Sequence, residues 1–358
     1  MIRPPRRLRP TALLLIAWLM VLPMEIAAQP IAASTSDPEA IPAAIPKELT
    51  ENFAYGGKYG FLTAPDGTRL RYAQWPPTIA QRASIIVLGG RGEFIEKYAG
   101  EVVGELRARG FAVFALDWRG QGRSDRKLAD REKGHVGDFA EYRDDLALFM
   151  HQIVTPQANN LPIVALAHSM GGNTVLRLLA DLPTAAPLAA AVLAAPMTGL
   201  TNALAIRAAL LLAPEGSSSE NDYMVGFGKF GDTRLAFASN RVTRDARRYA
   251  YTDLWFAADA RLRLGGPTYR WMRASFRSIA LMADERYLKA VTVPILLLSA
   301  GQDQLVDSGS HERICAAMSR CRLVRFAASK HEIMMELEPI RAAFWGEFDR
   351  FIGDMLAR

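Results

Sequence analysis

Cysteine is scarce in this chain, with only Cys315 and Cys321 among 358 residues. That excludes a scaffold held together by many disulfides and leaves no Cys/His spacing of the kind that holds a metal ion. The two cysteines either pair across a short loop, as an oxidising compartment would allow, or remain buried thiols; both readings are structural. Histidine is nearly as sparse, at five residues, so any chemistry that needs an imidazole has few candidates. There is no glycine-rich phosphate loop, no internal repeat, and no basic helix interleaved with aromatics. Neither a cofactor nor a nucleic-acid partner is expected. The formal charge of +6 says little, because Arg3, Arg6, Arg7 and Arg9 against Glu25 place half of it in the first 28 residues.

Long hydrophobic runs are also missing: none reaches the roughly 20 residues of a comfortable membrane span. The run that comes nearest, "TALLLIAWLMVLPM", follows the basic "MIRPPRRLRP" and precedes "EIAAQP", where Ala27 and Ala28 are small. Basic, apolar and small-residue regions in that order read as an export signal over residues 1–28, with an uncleaved N-terminal membrane anchor as the alternative. No cysteine follows the run, which argues against a lipoprotein anchor. Residues 29–50 are rich in Pro, Ala and Ser without an apolar period and read as a linker.

What is abundant is apolar residue, half of the chain, and it is ordered. "KYGFLTAPDGTRLRYAQW" alternates around "PDG" and reads as a hairpin. "SIIVLGG" and "FAVFALD" are short continuous apolar runs, as expected of strands buried on both faces. Between them Tyr98–Arg109 has helical spacing and stops at Gly110. The alternation continues with helix Phe139–Ile153, strand Ile163–Ala167, helix Asn173–Leu182 and strand Ala190–Ala195. It resumes with strand Val293–Ser299, a helix over His311–Met318, strand Arg322–Ala327 and helix Ile340–Leu356. Such a rhythm predicts an α/β fold, a mostly parallel sheet with helices on both faces. The stretch from about Thr198 to Lys289 lacks any strand pattern and is too long for a loop. It reads as a helical cap, residues 198–289, inserted over the carboxyl edge of a core formed by residues 51–197 and 290–358. Its segment "NALAIRAALLLAP" suits contact with lipid or acyl chain and suits packing on the core equally.

One polar atom interrupts the apolar strand–helix passage "VALAHSMGGNTVLRLL". Ser169 stands between Ala167 and Gly171, and only tiny neighbours let a chain turn so sharply there. The pattern is that of a nucleophile elbow, with Ala167 in place of the usual first glycine. Such a serine needs a base oriented by an acid, supplied after later strands in the order acid then base. "AGQDQLVD" and "ASKHEI" follow two of the later strands, which nominates Asp303 and His331. Asp307 competes for the acid role but lies at a helix start, where a carboxylate caps. His168 is expected to point to the opposite side from Ser169; it, His135, His151 and His311 read as structural, capping or solvated. The oxyanion donors are expected to be the N–H of Met170 and the N–H of Arg91 in "GGRGEF", where Gly90 lets the backbone approach substrate. The Arg91 side chain either holds a substrate phosphate or pairs with Glu93 or Glu96. Asp117 and Arg119 of "DWRGQGRSD" read as a turn at the pocket rim, not as an acid–base pair.

These motifs carry a resemblance. "AHSMGGN", "DWRGQGRSDR", "GHVGDFAEYRDDL" and the two loops with Asp303 and His331 are similar to the α/β-hydrolases of the bacterial lysophospholipase and monoacylglycerol lipase group, over about residues 55–355. "NRVTRDARRYAY" and "LGGPTYRWMRASF" resemble the lysophospholipase branch associated with the bacterial inner membrane. "GGRG" stands where monoacylglycerol lipases have His-Gly, a departure from that substrate class. The resemblance implies a serine carboxylester hydrolase with no metal and no cofactor, acting through an acyl-enzyme on single-chain lipid esters at or near a membrane surface. Lysophospholipid is the first substrate, with monoacylglycerol or short-chain esters as alternatives; a non-catalytic membrane-surface binding protein is the contrasting class. The export signal places the chain in the periplasm or on the outer face of the inner membrane. Oligomeric state is left open.

Overall fold

The computed structural model describes residues 53–357, apart from residue 55 and residues 184–186. The expected export signal and the linker lie outside the described residues. β1 (Lys58–Thr63) and β2 (Arg69–Trp75) pair antiparallel across the "PDG" turn. Gly67 adopts φ +86° there, and the Asp66 carboxylate accepts the Thr68 N–H at 3.1 Å. The chain then lays down β3 (Ala83–Leu88), β4 (Phe111–Leu116), β5 (Ile163–His168), β6 (Leu188–Ala194), β7 (Ile295–Ala300) and β8 (Cys321–Phe326).

The strand order is β1-β2-β4-β3-β5-β6-β7-β8. β2 runs antiparallel to β4, and every pairing from β4 to β8 is parallel. All residues of β3, β4, β5 and β7 are buried, which is why these strands read as unbroken apolar runs. Alternate side chains feed opposite faces. Ile86, Leu88 and Ala165 join Tyr142 and Leu176 in one core, whereas Ile85, Val87 and Val164 join Leu106 and Phe348 in the other. This is the architecture of an α/β-hydrolase fold.

Two expected helices differ in detail. Tyr98–Arg109 is not one helix but two, Ile95–Ala99 and Val102–Ala108. The Ala99 carbonyl is taken by the N–H of Ala54 at 2.6 Å, outside any helical ladder. A Cβ on Gly100 would sit 2.8 Å from Tyr251 Oη, so the break lets a helix of the inserted segment pack there. The helix at Phe139 is α-helical to Phe149 and ends in a π turn over Met150–Val154.

Between β6 and β7 the chain contributes no strand to the sheet. It forms helices Ala203–Ala209, Phe230–Thr233, Ala246–Ala258, Tyr269–Met282 and Glu285–Leu288 with short 3-10 turns between them. Thr268 caps the longest of these by accepting the Trp271 N–H at 3.1 Å. Leu200, Ile206, Phe227 and Trp271 from this segment roof a cavity at the carboxyl ends of the strands. The cysteines are paired: Cys315–Cys321 ties the helix Ser310–Ala317 to the start of β8, with a Cα–Cα distance of 5.2 Å.

Candidate active site

Ser169 occupies φ 50°, ψ −116° between β5 and the helix Met170–Asp181. A residue held in so sparse a region costs about 1–3 kcal/mol and stays there only where its surroundings impose it. Here they do: the Ser169 N–H donates to Ala194 O at 3.0 Å, and its carbonyl accepts from Asn173 and Met197 at 3.2 and 2.9 Å. The crowding explains the small neighbours. A Cβ on Gly171 would lie 2.8 Å from the carbonyl oxygens of Leu88 and Gly89, and one on Gly90 would lie 3.0 Å from Ser169 Cβ. Ala167 is fully buried at the one elbow position where a methyl group fits.

His331 and Asp303 come from the loops after β8 and β7. Their side chains meet at 2.6 Å between Nδ1 and Oδ2. Asp303 Oδ1 accepts the N–H groups of Leu305 and Val306 at 2.8 and 2.9 Å. Burial opposes the ionised form of Asp303, but His331 and these two N–H donors outweigh it and hold the carboxyl below the usual carboxylate range. Asp307 instead accepts the Gly309 N–H at 3.0 Å in the turn just before the next helix, whose first turn it does not cap. Ser169 and His331 line the same cavity. No hydrogen bond joins Ser169 Oγ to His331 among the described residues, a contact that in empty sites commonly tightens only around substrate.

The backbone donors sort themselves by elimination. The Gly90 N–H is taken by Glu93 Oε2, and the Gly92 N–H by Gln121 Oε1 at 2.6 Å. The N–H groups of Arg91 and Met170 have no acceptor among the described residues. Gln121 supports both sides of this pair, since its Nε2 also lies 3.3 Å from Tyr142 Oη and 3.5 Å from Met170 Sδ. The rest of "DWRGQGRSD" is occupied elsewhere: Asp117 binds Arg71 at 2.8 Å, and Arg119 binds Asp145 at 2.6 Å.

Two expectations about side chains are corrected. His168 does not point away from the site. It lies beneath the cavity with its ring 4.6 Å from that of His331, its Nδ1 3.1 Å from Glu93 and its Nε2 3.3 Å from the His331 carbonyl. The positive φ at Ser169 swings the nucleophile up while His168 keeps its strand direction, and the loops of Glu93 and His331 close around it. Nor does Arg91 pair with Glu93 or Glu96. Glu96 is held by Arg71 at 2.6 Å. Arg91 instead donates to the Gly265 carbonyl at 2.6 Å and lies 5.2 Å from the Trp271 ring centroid, turned towards the inserted segment. Of the remaining histidines, His311 is locked between Ser299 Oγ and the Pro196 carbonyl, 2.9 Å from each.

A buried ionic bridge under the site escaped the sequence reading. Lys97 Nζ lies 2.7 Å from Glu93 and 2.7 Å from Glu332. It thus joins the loop of Gly90–Glu93 to the loop of His331. Glu93 also accepts from Tyr98 Oη at 2.5 Å. Burial disfavours the charged Glu93, but Lys97 and His168 hold its carboxyl well below the ordinary value. Burial likewise disfavours charged His168, and Glu93 reverses this, raising its affinity for a proton. The i,i+4 spacing of Glu93 and Lys97 is a signal in the sequence, but nothing local announces Glu332 as the third member.

The cavity above Ser169 measures about 360 Å³. Met197, Leu200, Ile206, Phe227, Trp271 and Leu305 give it largely apolar walls, and Arg91 and Arg241 are its cations besides the histidines.

Comparison with known proteins agrees with this geometry. Residues 79–338 match the model of the family described as "Serine aminopeptidase, S33". Lysophospholipase L2 of Escherichia coli is 34% identical over 294 residues, covering 78% of this chain and 83% of its own. Monoglyceride lipase of Mus musculus is 24% identical, covering 88% and 96%. Among solved structures, a soluble variant of monoglyceride lipase from Saccharomyces cerevisiae superposes with a TM-score of 0.66 at 18% identity, over 84% of this chain and 96% of that one. With the elbow serine, the strand order and a family match spanning most of its length, the chain belongs to the serine aminopeptidase, S33 family of α/β-hydrolases.

Proposed function

We propose that the protein hydrolyses single-chain lipid esters, lysophospholipid foremost, to a free fatty acid and a glycerophosphodiester. The observation that carries this is the placement of Ser169 at the floor of an apolar-walled cavity it shares with His331, itself bonded to Asp303. The 34% identity to lysophospholipase L2 supports the choice of substrate. His331 takes the Ser169 proton as Oγ attacks the ester carbonyl, and Asp303 fixes the imidazole and favours its charged form. The N–H groups of Arg91 and Met170 receive the negative charge that develops on the carbonyl oxygen. The glycerol oxygen leaves with the proton from His331. Water, deprotonated by the same imidazole, then attacks the acyl-enzyme, and collapse of the second intermediate returns the proton to Ser169 and frees the acid.

The aminopeptidase activity in the family description fits less well. A free N-terminus calls for an unengaged carboxylate, whereas Glu93 and Glu332, the carboxylates lining the cavity, are both bound to Lys97. Work at a membrane surface is supported by the rim of the cavity. Phe227 and Leu305 line it and are exposed, and the helix that supplies Ile206 carries Leu204, 86% exposed. The sequence of residues 1–28, read as an export signal, and the Cys315–Cys321 disulfide favour a location in the periplasm or on the outer face of the inner membrane. An oxidised pair in cells making the full chain, and free thiols in cells making it without residues 1–28, are expected on alkylation.

The function is tested by fatty acid release from lysophosphatidylethanolamine, monoacylglycerol and a short-chain nitrophenyl ester, with the wild type and Ser169→Ala. Preference for the lysophospholipid, abolished in the variant, is expected. Preference for monoacylglycerol moves the assignment to that lipid. Release from the short ester alone keeps the chemistry and removes the lipid.

A further inference from the structure

Arg91 and Arg241 are cations in the catalytic cavity that no carboxylate neutralises. Arg241 makes no side-chain hydrogen bond or ion pair among the described residues. Arg91 has a carbonyl and an indole for partners, and its Nε is buried without any. Burial lowers its pKa to about 10, and no acid nearby compensates. The carboxylates around the cavity are all engaged: Glu93 and Glu332 by Lys97, Asp303 by His331. The cavity thus presents two guanidiniums with free donors among apolar walls. Arg241 is exposed at the cavity mouth, but an uncharged glyceride gives no reason to keep the Arg91 guanidinium, since a cation without a carboxylate partner resists burial.

The backbone that carries Arg241 is tied to the catalytic loop. Asn240 Oδ1 accepts the N–H groups of Val242 and Thr243, each at 3.0 Å, and the Asn240 carbonyl accepts Lys330 Nζ at 2.9 Å. The Val242 carbonyl accepts the Glu332 N–H at 2.8 Å, one residue beyond His331. The base of this side chain is therefore fixed relative to His331, while its guanidinium is left without a protein partner among the described residues and its donors are open to a ligand.

We propose that Arg241, together with the Arg91 side chain, forms an anion subsite that binds the phosphodiester of the substrate and so selects lysophospholipid over monoacylglycerol. This rests on the hydrolysis of lipid esters proposed above. A guanidinium matches the geometry of two phosphate oxygens, and Arg241 offers one at the mouth of the cavity whose apolar walls take the acyl chain.

Arg241 is the residue to vary, because the main chain of Arg91 belongs to the oxyanion hole. The full chain, its Arg241→Gln and its Arg241→Lys variants are assayed on lysophosphatidylethanolamine and a monoacylglycerol of the same acyl chain. Both lipids are presented in uncharged detergent micelles, so that attraction to a charged surface plays no part. The ratio of kcat/KM between the two lipids is expected to fall at least about tenfold in R241Q, mainly through KM, and to recover partly in R241K. Labelling of Ser169 by an uncharged fluorophosphonate reports whether each variant is folded. A ratio within about threefold of wild type in a labelled variant overturns the subsite. So does an R241Q variant that fails to label while R241K labels with an unchanged ratio. Soluble glycerophosphoethanolamine is expected to inhibit monoacylglycerol hydrolysis by the wild type and to do so more weakly in R241Q. Equal inhibition by inorganic phosphate marks a site for free phosphate and overturns the diester reading. A wild type that labels but cleaves neither lipid removes the underlying function, and the subsite with it.

Discussion

Replacing Lys97 by Met tests whether the bridge under the site holds its two loops together. The three charged side chains are 4%, 7% and 13% exposed for Lys97, Glu93 and Glu332. Methionine fills most of the lysine volume, so the main loss is one buried charge between two carboxylates. Stranding a buried charge costs about 3–5 kcal/mol. The folded variant has an escape: one carboxylate takes up a proton. At pH 7 that costs about 3.7 kcal/mol for an ordinary glutamate pKa of about 4.3, which sets a ceiling on the loss. The expected destabilisation is therefore about 3–4 kcal/mol at pH 7. The sign of its pH dependence follows. The folded variant holds a proton that the unfolded chain lacks above the ordinary glutamate pKa, so the loss grows with pH and shrinks in acid. It should fall by about 1.4 kcal/mol per unit, to about 1 kcal/mol at pH 5. Urea denaturation of wild type and K97M at pH 5, 6, 7 and 8 measures this. On the same reasoning kcat falls, by no more than the about 10²–10³-fold of a lost oxyanion donor, because Glu93 sets the Gly90–Gly92 turn. A deficit below about 1 kcal/mol at pH 7, the worth of an exposed pair, refutes the argument. A deficit that is flat across this pH range refutes it equally.

Reducing Cys315–Cys321 opens a short loop between the helix Ser310–Ala317 and β8. The expected loss is about 2 kcal/mol of stability with kcat unchanged, read by denaturation with and without reductant. His135 has a pKa lowered to about 4 by burial, and then by Lys127 and Arg270. Its unfolded form takes up a proton first as pH falls, so stability is full above about 6.5 and declines towards pH 4 by about 1.4 kcal/mol per unit. His135→Gln should flatten that limb in acid denaturation, and an unchanged slope counts against the assignment.

The gathering of the candidate residues was legible because each of them has a local signature. The elbow needs tiny residues beside Ser169, the acid and base must follow strand ends, and buried parallel strands have to be continuous apolar runs. Each of those constraints acts within about ten residues, and the structure places Ser169, Asp303, His331, Arg91 and Met170 around one site. The misreadings share another cause. Alternation along β5 turns His168 away from Ser169, but the loops of Glu93 and His331 fold over it from 75 and 163 residues away. Arg91 was judged by the acids nearest in sequence, and its guanidinium went to Gly265, 174 residues on. The single helix expected at Tyr98 failed for a similar reason, since the break at Gly100 is explained by Tyr251.

The same division runs through the function. Ser169, Asp303, His331 and the Gly90–Gly92 turn, to which the proposal gives the catalytic roles, all stand on the sheet or its immediate loops, where strand pairing fixes their spacing. The walls that meet a lipid come mostly from the inserted segment: Leu200, Ile206, Phe227, Arg241 and Trp271. That segment is tied to the core at many points, among them Arg248 on Glu101, Trp271 on Tyr142 and Ser278 on Asn173, and two of the ties reach the site loops: Arg91 on Gly265 and the Glu332 N–H on the Val242 carbonyl. These two ties start from the oxyanion loop and from the residue after His331. A change in the segment that shifts either tie therefore reaches the reacting atoms, as does one at Trp271, which packs on Arg91 and donates to Tyr142, whereas a change to a wall side chain without such a tie alters only what the cavity accepts. Substrate choice in this fold is thus free to vary at Arg241 or Phe227 without disturbing the machinery, and constrained at Gly265 and Val242, where the main chain itself carries the connection.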